Sequence, residues 1–349
     1  MSLSQPALAS ASARGGYAWW YVEAHDTVEQ RFGLTLIMFA GSVFSPHYAD
    51  RLRRGEPATG LDHPAVNFAL YERGASGRAA GLPSRQRLWV MNEYAPSALR
   101  VSEQRLAIQD SFIDYGSDGK THIELHEHAT RFFGRPGQRL DARLTVTAPP
   151  PSQAPLELGR SAAGQVHYWQ PLAVAGEVDV ELTVGTRPLR FRGVAYCDRN
   201  FGSGRLEDCF HRWSWAHGVT DAADGAEAQA LVLYHAERLD GGVTALAVHY
   251  ERPAGPPRVV QASAEQTDSD RAGGFFWLRV PRRFTVGAAS SQRLDGGALE
   301  DTPFYARYAA RLSDAERSYL GVGEYLDLRR FRGRAVQRLL TYKTRKVEP

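Results

Sequence analysis

The stretch RGVAYCDRNFGSG, residues 192–204, decides how this chain is read, because Asp198 stands either inside a β-strand or at the turn that ends one. Successive side chains of a strand alternate between its faces, so Tyr196 and Asp198 point one way and Cys197 the other. Asp is depleted in strands, and the plain reading is that DRNFG closes a turn in which Asp198 or Asn200 bonds its own backbone. A second stretch supports a functional reading. QVHYWQPLAV, residues 165–174, places His167 and Trp169 two apart in another strand-like run, again on one face. Either these are ordinary core residues or the two pairs meet inside one cavity.

Outward from these stretches the same period-two signature recurs in YAWWYVEA, FGLTLIMFAGSVF, AVNFALYE, RLWVMNEY, THIELHEHATRFF, RLDARLTVTA, EVDVELTV, AQALVLYHAERL, VTALAVHYE and FFWLRV. Clusters of Gly, Pro, Asp and Ser separate them, and many short strands at close spacing argue for antiparallel all-β barrels or sandwiches rather than βαβ units. Helix-like spacing is confined to TPFYARYAARL, where Phe304, Tyr305, Tyr308 and Leu312 fall on one side, and more weakly to RAVQRLLTY. Helices are therefore expected to be short and peripheral. At 349 residues and 43% hydrophobic content the chain is globular, and its length favours two domains. The Pro-rich APPPSQAP, Ala148 to Pro155, reads as a loop within a domain, and the Gly-rich NFGSGRLED after Asp198 as the boundary. The expected division is a disordered leader over residues 1–15, an N-terminal domain over 16–205 and a C-terminal domain over 206–349.

Composition excludes several classes. A net charge of +3 is too small to advertise a nucleic-acid partner. Two cysteines, Cys197 and Cys209, make neither a disulfide framework nor a zinc site, which fits a reducing cytoplasm. The opening MSLSQPALASASARGG lacks the basic and apolar regions of a secretory signal, and the longest apolar run, Phe32 to Phe44, is too short to span a bilayer as a helix. In HIELHEHA, His122, Glu124, His126 and His128 share a strand face, as metal ligands do. Yet four such side chains span roughly 20 Å, so at most two neighbours bind one ion without help, and a solvated strand face is the simpler reading. The end of the chain carries eight Arg or Lys between Arg329 and Lys346. It reads as a solvated terminus or as a surface for an anionic membrane. No Walker loop, dinucleotide-binding fingerprint or nucleophile elbow is present.

Taken together, GGYAWWYVEA, GSVFSPHYA, NFALYERG, HYWQPLAV, AYCDRNFGSGRLEDCFHRWSWAHG and LEDTPFYARY resemble the carotenoid 1,2-hydratase (hydroxyneurosporene synthase) family, within a wider group of two-domain lipocalin-like proteins. The resemblance runs from about Gly15 to Leu340. It implies two lipocalin-like antiparallel β-barrel or sandwich domains, the first ending just after Asp198, Asn200 and Gly202. Where the wider group often has His and Trp in its Asp-His-Asn-Trp-Gly turn, this chain has Arg199 and Phe201. The family's activity is the addition of water to the terminal 1,2 double bond of acyclic carotenoids without a redox cofactor, which implies an apolar polyene or terpenoid substrate. Its catalytic His-x-Trp and Tyr-x-Asp pairs fall on His167, Trp169, Tyr196 and Asp198.

Chemistry then suggests roles. Protonating an alkene needs a strong acid in a dry pocket, so Asp198 is the expected donor, oriented by Tyr196, with the Trp169 ring facing the cation and His167 holding water. No metal or other cofactor is expected. The competing readings are a cofactor-free cyclase, pericyclase or isomerase working in the same cavity, and a lipocalin-type carrier without catalysis.

Overall fold

The computed structural model describes residues 5–73, 83–151, 153–220, 229–251, 257–266, 269–271 and 275–348. One strand shows how it is assembled. In Tyr17–Asp26 every residue is buried: Ala18, Trp20, Val22 and Ala24 pack into one core, and Tyr17, Trp19 and Tyr21 into a second. A strand that is apolar on both faces has to be covered on both.

Thirteen strands form the sheet to which it belongs. From one edge the order is Arg345–Lys346, Pro83–Glu93, Pro64–Arg73, Phe32–Ala40, Tyr17–Asp26, Arg187–Gly202, Val166–Val184, Arg135–Thr147 and Lys120–Arg131, then three short strands ending at Leu99–Val101, with Leu156–Arg160 added beside Val166–Val184. The sheet curls until Asn92 Nδ2 donates to Glu127 Oε2 (2.6 Å) and to the His128 carbonyl (3.1 Å), enclosing the first core. Nine further strands, from Phe210–Val219 to Ser318–Asp327, form a second curled sheet around its own core, which includes Leu231, Leu233, Phe284, Tyr308 and Leu312. Between the sheets lies the third core, to which the first contributes Tyr17, Trp19, Trp169 and Tyr196, and the second Trp213, Trp215 and Tyr234. The fold is all-β and lipocalin-like, with short peripheral helices.

Four expectations are corrected. DRNFG is no turn: Arg187–Gly202 is strand throughout, and Asp198 is paired on both sides, opposite Tyr21 and opposite Pro171. Neighbours on both edges satisfy the backbone that an Asx turn would otherwise serve. TPFYARYAARL is a strand, Tyr305–Ser313, rather than a helix; Ala306, Tyr308, Ala310 and Leu312 face the second core, while Arg307 faces the first sheet. Burial on both faces over residues 306–310 hides the period of two. The leader is ordered from Gln5 onward, because a helix over Gln5–Ala11 packs its small Ala7 and Ala11 into the first core; residues 1–4 lie outside the described residues. The basic terminus is folded. It forms helices at Leu328–Phe331 and Arg334–Leu339, then pairs Arg345 with Asn92 in the first sheet, and Val347 N donates to the Glu93 carbonyl (2.8 Å).

One cation ties the two sheets together. Arg307, 1% exposed, donates to Glu324, to the hydroxyl of Thr35 and to the Tyr71 hydroxyl (3.1 Å), and lies 3.6 Å from Glu300. Thr35 and Tyr71 belong to the first sheet and the acids to the second. Arg307→Ala should lower the unfolding free energy in denaturant titrations by about 3–5 kcal/mol, since it leaves buried carboxylates unpaired. Arg307→Met combined with Glu324→Gln should recover much of that loss. A single variant as stable as the parent would deny the pair any structural role.

Candidate active site

Alternation carries the four sequence-nominated side chains to the face of the first sheet that meets the second. His167 lies opposite Gly202 and Trp169 opposite Asn200 across the Val166–Val184 and Arg187–Gly202 strands. Register shifts between Pro171 and Gly176 fall beside Tyr196 and Asp198 and bend the pair locally. All four converge. Asp198 Oδ2 accepts from the Tyr196 hydroxyl (2.7 Å) and from Trp169 Nε1 (2.8 Å), and its Oδ1 accepts from Asn200 Nδ2 (3.0 Å). His167 stands on the same strand face two residues before Trp169, with its Nδ1 2.6 Å from the Tyr17 hydroxyl, and Asn200 favours its protonated form.

The site is shut away from solvent: His167, Trp169 and Tyr196 are fully buried and Asp198 is 4% exposed. Burial pushes the Asp198 carboxyl up to about 7, although hydrogen bonds from Tyr196 and Trp169 pull the other way, and the nearby Glu324 and Glu23 add repulsion. Burial likewise pushes His167 down to about 3, so its ring is neutral at ordinary pH. Its Nε2 is buried and meets no hydrogen-bond partner among the described residues. A carboxyl that keeps its proton and a neutral imidazole thus share one face of the sheet, both walled by rings. Trp169 lies 5.5 Å from Tyr234, Tyr196 5.3 Å from Trp215, and His167 5.9 Å from Trp213 between centroids.

Several contributors were not singled out as site residues in the sequence. Asn200 was legible, being two residues beyond Asp198 on the same face. Tyr17 and Glu23 share the face of YAWWYVEA that alternation assigns them, but nothing local says what that face meets. His217, Trp213 and Trp215 come from the other sheet, and no spacing reports such a contact. Gly202 has a packing role: a Cβ there would lie 2.7 Å from the Tyr17 hydroxyl, the atom that reaches His167.

Behind Tyr196, whose ring lies 4.7 Å from that of His217, sits a second polar cluster. His217 Nδ1 is 3.1 Å from Glu23 Oε1 and its Nε2 is 3.1 Å from the Val174 carbonyl; His25 Nε2 also meets Glu23 Oε1, and Tyr21 donates to Glu23 Oε2 (2.8 Å). Burial raises Glu23, but His25 and His217 outweigh it and hold the carboxyl well below the usual carboxylate range. Glu23, His25 and His217 are the group of donors that could hold a metal among the described residues, with ligand atoms within 4.8 Å of one another. The histidine-rich strand is spread out instead. His122 pairs with Asp118 (3.0 Å), His126 with Asp141 (2.9 Å), and His128 Nδ1 approaches the Gly137 carbonyl (3.3 Å).

Two spaces reach this region. A cavity of about 310 Å³ inside the first sheet touches Asp198 and Cys197 and is walled by Trp20, Tyr115 and Pro149–Pro151. A groove of about 100 Å³ between the sheets is lined by Trp19, Tyr21, Phe39, Phe44, Trp89 and Trp213 among others. Trp19 and Trp213 also pack against His167, at 6.0 and 5.9 Å, so the groove adjoins the site on its side-chain face.

Fold and site together define a lipocalin-like β-protein with a protonatable carboxyl buried where its two sheets meet. The sequence profile of the carotenoid hydratase CrtC family matches residues 36–348, and the chain belongs to that family. It is 31% identical over 339 residues to the acyclic carotenoid 1,2-hydratase of Thiocapsa roseopersicina, covering 95% of this chain and 74% of that one. It is 30% identical over 308 residues to the enzyme of the same name from Cereibacter sphaeroides, covering 88% and 96%. A crystal structure of an AttH candidate from Nitrosomonas europaea superposes with a TM-score of 0.58 at 16% identity, covering 94% of this chain and 98% of that one, which shows a shared fold.

The displaced carboxyl has a thermodynamic signature. Asp198 keeps its proton up to about 7 when folded but loses it near 3.9 when unfolded, so the folded state holds the extra proton between those values. Its stabilising contribution is therefore full below about 4 and falls as pH rises toward 7. In urea titrations at a series of pH values, Asp198→Asn should remove that downward slope relative to the parent; parallel curves would mean that Asp198 ionises normally.

Proposed function

We propose that this chain is a hydro-lyase that adds water across the terminal 1,2 double bond of an acyclic carotenoid or related terpenoid, with Asp198 as proton donor. The observation that carries this reading is a carboxyl pushed up to about 7 by burial, fixed by Tyr196, Trp169 and Asn200 within a wall of aromatic rings. A pericyclase needs no transferable proton of this kind and a carrier needs none at all, while a proton-initiated cyclase would use the same acid but incorporate no solvent.

Oδ2 already accepts two hydrogen bonds, so Oδ1 carries the proton. Its delivery to C2 of the alkene forms the C–H bond and leaves a tertiary cation at C1. The aromatic faces stabilise that cation without offering a nucleophile, and Trp169 has the strongest quadrupole in contact with Asp198. Water then adds to C1. His167, neutral and with Nε2 unengaged by the protein, takes the departing proton from this water; Asn200, which favours the protonated form of His167 and donates to Asp198, lies on the path back to the carboxylate. One water is consumed: its oxygen and one hydrogen end on C1 as the hydroxyl, and its other proton returns to Asp198 to replace the one delivered to C2. The tolerance of the inter-sheet groove for an elongated apolar chain follows from its rings.

The same reading places the domain boundary near residues 205 and 206, with the C-terminal segment strapped back onto the first sheet. It also places the chain in the cytoplasm at a membrane face. A polyene is dissolved in a bilayer, and the basic C-terminal segment supplies electrostatic attraction to an anionic surface. No helix among the described residues is long and apolar enough to cross a membrane.

Incubation with neurosporene or lycopene in heavy-oxygen water tests the reaction: label in a tertiary alcohol supports hydration, unlabelled cyclised product supports a pericyclase, and unchanged ligand supports a carrier. Asp198→Asn preserves shape but removes the transferable proton, so turnover per folded molecule should drop by roughly 100-fold to 10,000-fold. Full activity in a folded variant removes Asp198 from the mechanism. In the parent, activity should fall as pH rises through about 7, where the donor is lost. Tyr196→Phe deletes a hydrogen bond that favours the carboxylate, so its alkaline limb should move to higher pH even as the rate declines. An unmoved limb would separate that titration from Asp198.

A further inference from the structure

We propose that the surface around the mouth of the inter-sheet groove is a docking face for an anionic phospholipid bilayer, into which Phe132 and Phe133 insert. This deepens the polyene-hydratase reading and rests on it for its purpose, though docking itself is a property of the surface.

Six of the ten exposed large hydrophobic side chains among the described residues gather here: Phe132, Phe133, Phe275, Trp277, Leu339 and Tyr342. Phe132 and Phe133, 73% and 71% exposed, occupy the tip between the Lys120–Arg131 and Arg135–Thr147 strands. Phe133 has φ +62°, a left-handed conformation that disfavours side chains. Turn chemistry would put Gly or Asn there. An aromatic ring held outward at such a position is the opposite of what solubility selects. Phe133 meets Tyr342 edge-on at 5.1 Å, which joins the tip to the C-terminal segment.

A second tip, from the other half of the chain, has the same character. Phe275 is 84% and Trp277 62% exposed, and Trp277 has φ +56°. It is anchored to the same rim: Phe276 N donates to Asp301 Oδ2 (3.1 Å), Arg330 donates to the Pro303 carbonyl (3.1 Å), and Lys343 Nζ to the Asp301 carbonyl (3.4 Å). Thr302, Phe304, Leu340, Lys343 and Thr344 line the groove itself. The two aromatic tips thus flank the opening through which an apolar chain would reach the rings next to His167.

Charge selects a lipid surface over a second protein. On the stem of the first hairpin, Arg139 and Arg143 pair with Asp141 and Glu124. At its tip, exposed Arg131 and Arg135 meet no carboxylate among the described residues, nor do exposed Arg338 and Lys346 nearby. Aromatic side chains ringed by unpaired cations match the layered chemistry of a bilayer edge, with anionic headgroups outside and acyl chains within.

Flotation with vesicles of phosphatidylcholine alone and of phosphatidylcholine mixed with phosphatidylglycerol, without any carotenoid present, tests this. The parent should bind the anionic vesicles, less so in high salt. Phe132→Ser combined with Phe133→Ser should weaken binding about tenfold or more at an unchanged melting temperature, while turnover of detergent-dispersed substrate is retained and turnover of vesicle-embedded substrate falls. Arg131→Glu with Arg135→Glu should abolish the salt-sensitive part. A parent that does not float, a Phe variant that floats as well as the parent, or a concentration-dependent dimer that the Phe variant dissolves would each overturn the proposal. A protein that floats but hydrates nothing would refute only the hydratase reading, and one that hydrates in detergent but does not float would refute only the docking.

Discussion

Two adjacent stretches, Tyr17–Asp26 and residues 194–202 of the Arg187–Gly202 strand, are buried on both faces, and the rest of the molecule follows from the need to cover them twice. The first sheet covers one face by curling on itself around Trp20, Leu36 and Phe68. It cannot cover the other. The second sheet does so, and because it arrives as an independent curled layer, the interface is rich in rings rather than in the small aliphatics of a continuous core: Trp19, Trp169, Trp213, Trp215, Tyr196 and Tyr234 meet there. A carboxyl placed on that face has no water to solvate it, which is why Asp198 titrates like a much weaker acid than an exposed aspartic acid.

The same interface also carries an ionic seam. Arg307 reaches Glu324, and Tyr21 bridges from Glu324 (3.2 Å) to Glu23 (2.8 Å), which in turn holds His25 and His217. Paired charges of this kind contribute little net stability compared with apolar packing, but leaving one unpartnered is costly, so they fix the register of one sheet against the other. That register has a chemical consequence. His217 supports the ring of Tyr196, and Tyr17, held over Gly202, supports His167; a slip of either sheet would disturb the hydrogen bonds around Asp198.

Period-two alternation made the β-class and the pairing of His167 with Trp169 and Tyr196 with Asp198 legible in the sequence, because alternation is local. It failed where context overrides local chemistry. DRNFG carries every mark of a turn, yet two neighbouring strands claim its backbone. TPFYARYAARL imitates a helix because residues 306–310 are buried on both faces, so only Arg307 and the exposed Arg311 mark the alternation, and two partners of Arg307, Thr35 and Tyr71, lie more than 200 residues away in the first sheet. The basic terminus looked like a loose end because a two-residue parallel pairing with Asn92 and Glu93 leaves no pattern of its own. The ring wall from the second sheet was invisible for the same reason: contacts between sheets obey no sequence period.

The proposed proton transfer from Asp198 to an alkene makes two opposite demands: a carboxyl that still holds its proton when the alkene arrives, and a cavity able to tolerate a tertiary cation. A dry site favours the neutral acid but gives the cation no solvent, whereas a wet site solvates the cation but ionises the carboxyl that must donate. The arrangement here meets both with one device. Rings exclude water from around Asp198, which keeps its proton, and the same rings turn electron-rich faces toward the space where positive charge develops. Once the proton leaves, the carboxylate is held by three donors that were already in place, so little reorganisation accompanies the step. The neutral His167, pushed down to about 3, does not compete with the substrate for that proton, because an imidazole so easily deprotonated accepts one only when a far stronger acid, such as water bound to a carbocation, is beside it.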